Sequence, residues 1–180
     1  SPLSHAQMSG NASCLSWKRR GAVFVALCGL IFLAFAPVPV LSVASPSGTS
    51  FLRIPLGTGE PFAIRYIHSV AKRPVVEVFT PAPGERIQLR ETAFDSFGAG
   101  LPFEAEEGAR FLVEQGRFRI VGMRRFFRSV PVRVGRVAEH TLLVRDGEIP
   151  LRDFEQPGQT VTLKISECPV FLLVLREGVQ

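Results

Sequence analysis

Side chains that change character at every second residue constrain this chain more than any other feature. Phe62, Ile64, Tyr66 and His68 fall on one side of an extended segment, with Ala63, Arg65 and Ile67 on the other. The same period recurs at Val76 and Val78 against Val75, Glu77 and Phe79, and at Phe118 and Ile120 against Arg117 and Arg119. Leu142 and Val144 alternate with Thr141, Leu143 and Arg145, and Val161, Leu163 and Ile165 alternate with Thr162 and Lys164. Successive Cβ atoms of a strand point to opposite faces, so period two marks half-buried strands. Beyond Ala44 no helical period is sustained, and the apolar run 170–175 reads as a central strand. The gaps carry turn chemistry. Asp146-Gly147 predicts a hairpin between residues 140–145 and 148–151, while Pro81-Ala82-Pro83-Gly84, Gln115-Gly116 and Gln156-Pro157-Gly158 mark further reversals. The expected fold is all-β: a compact antiparallel sandwich or barrel-like domain over residues 60–180, with a linker and first strand at 45–59.

Residues 1–44 follow another pattern, expected to be one N-terminal hydrophobic helix. Lys18-Arg19-Arg20 precede residues 21–36, sixteen positions without a charge, and Pro37, Pro39, Ser42 and Ala44 follow. Basic flank, apolar core and small-x-small tail are the parts of a secretory signal peptide, with cleavage expected after Ala44. The alternative is a retained membrane anchor. Sixteen helical residues reach about 24 Å, against a hydrocarbon core of roughly 30 Å. Either reading sends the rest of the chain across the inner membrane, to a periplasmic or inner-membrane-anchored location, and keeps the basic residues cytoplasmic. The chain opens on Ser1 rather than Met, which suggests trimming or a start at Met8.

The leader also explains the charge. A net charge of +5 suits a nucleic-acid binder, but three of the 21 Lys and Arg residues precede Ser45 and no acid precedes Glu60. Beyond Ala44, 18 basic residues face 16 acidic ones, a net of +2, so nucleic acid is not an expected partner. Cys14 and Cys28 lie in the leader, and Cys168 is left as a buried small hydrophobe without a disulfide partner.

Three constellations stand out. Tyr66, His68 and Ser69 lead into a turn through residues 71–74 that brings Glu77 opposite them. A His beside a carboxylate is the minimal general-base pair and part of a metal site, while the simpler reading is a cross-strand hydrogen bond between His68 and Glu77. His140, on a face with Leu142 and Val144, reads as a core or rim histidine; with His68 and Glu77 it forms the alternative enzyme or metal site. Gly98 and Gly100, closed by Pro102, form a GxG loop without the βαβ context of dinucleotide binding, and suit a loop that a partner or ligand approaches closely. Arg117, Arg119, Arg124, Arg125 and Arg128, continued by Arg133 and Arg136, make a basic belt interleaved with Phe118, Met123, Phe126 and Phe127. That belt is either a set of solvated strand faces or a surface for anionic lipid or an acidic partner. HExxH, CxxC and GxSxG are absent, so neither a resident metal nor a cofactor is expected, and no catalytic residue is assigned.

Tyr66-Ile67-His68-Ser69-Val70 with Pro74 and Glu77, the segment 97–102, and residues 137–151 together resemble the small family called domain of unknown function 1850. Genes of that family commonly adjoin tripartite ATP-independent periplasmic (TRAP) transporters of the TAXI subclass. The resemblance implies an exported, non-enzymatic accessory domain partnered by the TRAP permease or its solute-binding protein, and brings no catalytic residues. In that reading Tyr66, His68, Ser69, Glu77, His140 and the Gly98, Gly100 and Pro102 loop form one ligand- or partner-binding surface.

Overall fold

The computed structural model describes residues 11–95, 108–114 and 116–177. The chain divides into two units, Val38–Cys168 on the one hand and Ser1–Pro37 with Pro169–Gln180 on the other. The strands are β1 (Pro37–Ala44), β2 (Ser50–Pro55), β3 (Phe62–Ile67), β4 (Pro74–Ala82), β5 (Arg86–Phe94) and β6 (Arg110–Glu114). They continue as β7 (Arg117–Phe127), β8 (Val130–Arg133), β9 (Thr141–Val144), β10 (Gly147–Pro150) and β11 (Thr160–Pro169). They form two antiparallel sheets that do not close, one in the order β2-β1-β11-β8 and one in the order β10-β9-β3-β4-β5-β7-β6. Leu41 and Val43 of β1, Val161 and Leu163 of β11, and Phe62 and Ile64 of β3 belong to one buried cluster. Both sheets therefore turn an apolar face to a shared core, which favours the sandwich over the barrel.

Register follows the alternation. Phe62 faces Phe79, Ile64 faces Glu77 and Tyr66 faces Val75 between β3 and β4. The Phe62 and Phe79 rings stack at 5.5 Å, and a slip of one residue would turn this whole set outward. Arg90 is a bulge residue: Val78 and Phe79 of β4 pair with Glu91 and Leu89 of β5. Across β5 and β7, Leu89 pairs with Arg125 while Glu91 pairs with Val121, so one residue faces three, with Gly122 at φ 79 inside the bulge.

Three expectations change. Residues 37–44, read as the tail of a leader, are strand β1, and Val40, Leu41 and Val43 are fully buried. Two prolines next to a helix suggest a break, but the run from Val40 onward is β-branched and apolar enough for a central strand. The run 170–175 is not a strand. It lies in α2 (Val170–Glu177), because an unbroken apolar run carries no period to separate strand from helix. The predicted hairpin forms one residue earlier than Asp146-Gly147, with Arg145 at φ 54 in the turn and Gly147 already paired to Val144.

In the other unit, α1 (Asn11–Phe35) leads to a contact with α2: the Phe35 and Phe171 rings lie 4.9 Å apart, and the Val170 N–H donates to the Ala36 carbonyl. Val23, Phe24, Leu30 and Phe32 of α1 are exposed. Among the described residues no helix is long and apolar enough to cross a membrane. Cys168 is buried and Cys28 exposed, both free thiols.

Candidate functional site

The ends of β3 and β8 meet three loops around a cavity of about 690 Å³. Tyr66, His68 and Ser69 line it from the β3 side, and His140 lines it from the segment before β9. Four of the sequence-predicted residues are thus brought together although 74 positions separate Tyr66 from His140.

Tyr66 shares the core-facing side of β3 with Phe62 and Ile64, and its ring stacks on His140 with centroids 5.3 Å apart. Its hydroxyl donates to the Glu77 carboxylate, which sits one register pair along on the same face of the sheet. Burial disfavours both ionised forms. It pushes Tyr66 up to about 12, helped by the adjacent Glu77 charge, and it raises Glu77 despite the opposing Tyr66 hydroxyl and the positive charge of Arg125. Glu77 does not line the cavity itself; it fixes the phenol that does. His140 is half-buried, and its Nδ1 has no hydrogen-bond partner. Burial lowers its pKa, so the ring is neutral at pH 7.

His68 has a different task from the one its sequence position suggests. Its Nδ1 accepts from the Val70 N–H at 3.3 Å and the Ala71 N–H at 3.2 Å. The same turn is closed by Lys72 N–H to the His68 carbonyl and by His68 N–H to the Arg73 carbonyl, both at 2.9 Å, with Lys72 at φ 53. The imidazole therefore caps its own loop, as an Asx side chain does, and the expected cross-strand bond to Glu77 is replaced by these local ones. An Nδ1 engaged as acceptor leaves the proton on Nε2, which is the donor left for a ligand. Among the described residues no group of three His, Cys, Asp or Glu side chains is placed to hold a metal ion.

The other wall of the cavity comes from residues that the sequence placed in the basic belt or in a turn, not with Tyr66 and His68. Arg133 contributes from the end of β8, Gly135 and Arg136 from the segment after it, and Pro157 and Gly158 from a turn expected only to reverse the chain. That segment is pinned on three sides: Ile67 N–H to the Ala138 carbonyl at 2.7 Å, Gly158 N–H to the Val134 carbonyl at 2.7 Å, and Leu151 N–H to the His140 carbonyl at 2.9 Å. The path is crowded at Gly135, where a Cβ would lie 3.0 Å from the Ala138 Cβ. No spacing rule links Arg133 and Arg136 to Tyr66; the sheet topology does.

Folding distributes the arginines of the belt over different faces. Arg119 lies on the outer face in a forked pair with Glu91 at 2.7 and 2.9 Å and reaches Glu114 at 3.1 Å. Arg125 points to the opposite face, where it pairs in register with the buried Leu89 and its charge acts on Glu77. Arg117 sits beside the Glu91–Arg119 pair, and Arg124 and Arg128 are exposed. Period two and the bulge at Gly122 send neighbouring arginines to different faces; Arg117 and Arg119 share a cavity with Glu91 and Glu114, whereas Arg133 and Arg136 share one that no acidic side chain among the described residues lines. Gly98, Gly100 and Pro102 lie outside the described residues.

A family model described as Domain of unknown function (DUF1850) matches residues 62–151, half of the chain. The chain belongs to the DUF1850 family. The match opens at the first residue of β3 and closes just after β10, so it contains the seven-stranded sheet and β8 but not β1, β2 or β11. Tyr66, His68, Ser69, Glu77, Arg133, Arg136 and His140 all fall inside the DUF1850 match, whereas Pro157 and Gly158 fall beyond it. No curated protein and no solved structure matches the chain.

Proposed function

We propose that this DUF1850 protein is an exported, non-enzymatic accessory domain of a TAXI-type TRAP solute-uptake system, with a binding role exerted through the cavity at Tyr66, His68, Ser69 and His140. The observation that carries the binding role is the convergence of those side chains with Arg133 and Arg136 on one rigidly held cavity. Its volume lies in the range of small-ligand sites. The donor set favours binding over catalysis: the His68 Nδ1 is spent on its own loop, and Glu77 is held by Tyr66 away from the cavity lining. The transporter association rests on the family resemblance, and export rests on Lys18-Arg19-Arg20 with the uncharged run 21–36.

Strand β1 supports the anchored form of the leader. Cleavage after Ala44 would remove a strand lying between β2 and β11, so the segment through Ala44 stays with the mature domain and α1 serves as its membrane attachment. Co-purification tests the whole reading. The full chain, tagged at its C-terminus, is expected to enrich the permease or its solute-binding protein in gentle detergent. Recovery no higher than with an unrelated exported β-domain refutes the association.

A further inference from the structure

Among the described residues, no acidic side chain lines the cavity. Its polar side chains supply donors in the Arg133 and Arg136 guanidinium groups, the His68 Nε2–H and the Ser69 hydroxyl, beside the Tyr66 hydroxyl and the His140 ring. Arg133 is oriented by donating from Nε to the Gly158 carbonyl at 3.3 Å, which leaves its terminal nitrogens without a partner among the described residues. Arg136 is exposed and makes no hydrogen bond or ion pair with a described residue. By contrast Arg65, Arg73, Arg119 and Arg145 each fork onto a carboxylate of the chain. Two arginines without such a partner among the described residues, lining one cavity, form a positive site that an anion would complete.

The remaining surface decides what kind of anion. Ile67, Val134, Ala138 and Pro157 line the same cavity as the arginines and the Tyr66–His140 stack, so apolar surface accompanies the charge. An inorganic anion would leave that surface in water. A small organic acid would place its carboxylate on Arg133 and Arg136 and its carbon body against the apolar wall.

We propose that the cavity between the end of β3 and the loop after β8 binds a small organic carboxylate, held by Arg133 and Arg136 and packed against the apolar wall beside Tyr66. The inference rests on the reading of this cavity as a binding site, and not on the transporter association, which co-purification tests separately. Benzoate serves as the probe, with benzyl alcohol as its neutral analogue and inorganic phosphate as an anion without a carbon body. The full chain in detergent is titrated with each and followed by isothermal calorimetry and ligand-observed NMR. Saturable benzoate binding is expected, with benzyl alcohol and phosphate at least about tenfold weaker, because each lacks one half of the recognition. Arg136→Gln, at an exposed position without a partner among the described residues, leaves the fold intact and weakens benzoate about tenfold or more; Arg133→Ala with Arg136→Gln abolishes it. Phosphate binding as tightly as benzoate would overturn the organic-acid assignment. Absence of binding by all three probes, or benzoate binding unchanged in Arg136→Gln, would overturn the site.

Discussion

A chain that begins at Ser45, as cleavage after Ala44 would produce, is expected not to fold. The deletion removes β1, in which Val40, Leu41 and Val43 are each 0% exposed. Burying one such side chain contributes about 1.5–3 kcal/mol, so the three together amount to roughly 4.5–9 kcal/mol. Total stabilities of single domains are about 5–15 kcal/mol. The ladder to β2, from Val40 opposite Pro55 to Ala44 opposite Ser50, disappears as well, and β2 and β11 are left with raw edges inside the sheet. A chain beginning at Pro37 keeps all of this and is the proper comparison. Thermal and urea unfolding followed by circular dichroism should give a cooperative transition for the Pro37 chain and none for the Ser45 chain. A cooperative transition within a few degrees for the Ser45 chain would refute the placement of β1, since the expected loss corresponds to well over 10 °C for a unit of this size. Mass determination of the N-terminus of protein recovered from the cell envelope gives the matching result in vivo: residues 37–44 are retained.

Other expectations concern the site. Glu77 has a raised pKa in the folded protein, so its contribution to stability is fully present below the unfolded value near 4.5 and is lost as pH rises through the folded pKa. Glu77→Gln still accepts from the Tyr66 hydroxyl; its melting temperature should exceed the parent's at pH 7, with the difference vanishing below pH 4.5, and a gain independent of pH would sink the assignment. His140 has the opposite sign: its pKa is lowered, so its contribution is present above about pH 6.5 and fades as pH falls below that value. His140→Leu should flatten the stability profile between pH 6.5 and 5, and an unchanged slope there would count against the burial of the ring. Gly135→Ala puts a Cβ 3.0 Å from that of Ala138, should cost about 1–3 kcal/mol in a chemical-denaturation series, and should weaken benzoate binding through the displaced loop.

The alternation of Phe62, Ile64 and Tyr66, and of Val161, Leu163 and Ile165, was enough by itself to determine strands, their buried faces and hence an all-β fold, because side-chain direction in a strand depends only on position parity; the choice of sandwich over barrel came from the sheet order. It also singled out Tyr66, His68, Ser69 and His140 as chemistry worth placing. It could not resolve residues 37–44 or 170–175, where unbroken apolar runs carry no parity and only the neighbouring strand or helix selects the conformation. The role of His68 was hidden for another reason: its Nδ1 partners are backbone N–H groups, which every residue type supplies alike. The cavity lay furthest beyond the sequence. Arg133 and Arg136 look like two more members of a charge run, and their separation from Arg119 depends on a bulge, a sheet order and three backbone hydrogen bonds between distant segments. Local pattern set which face each residue shows; the tertiary structure decided which faces meet.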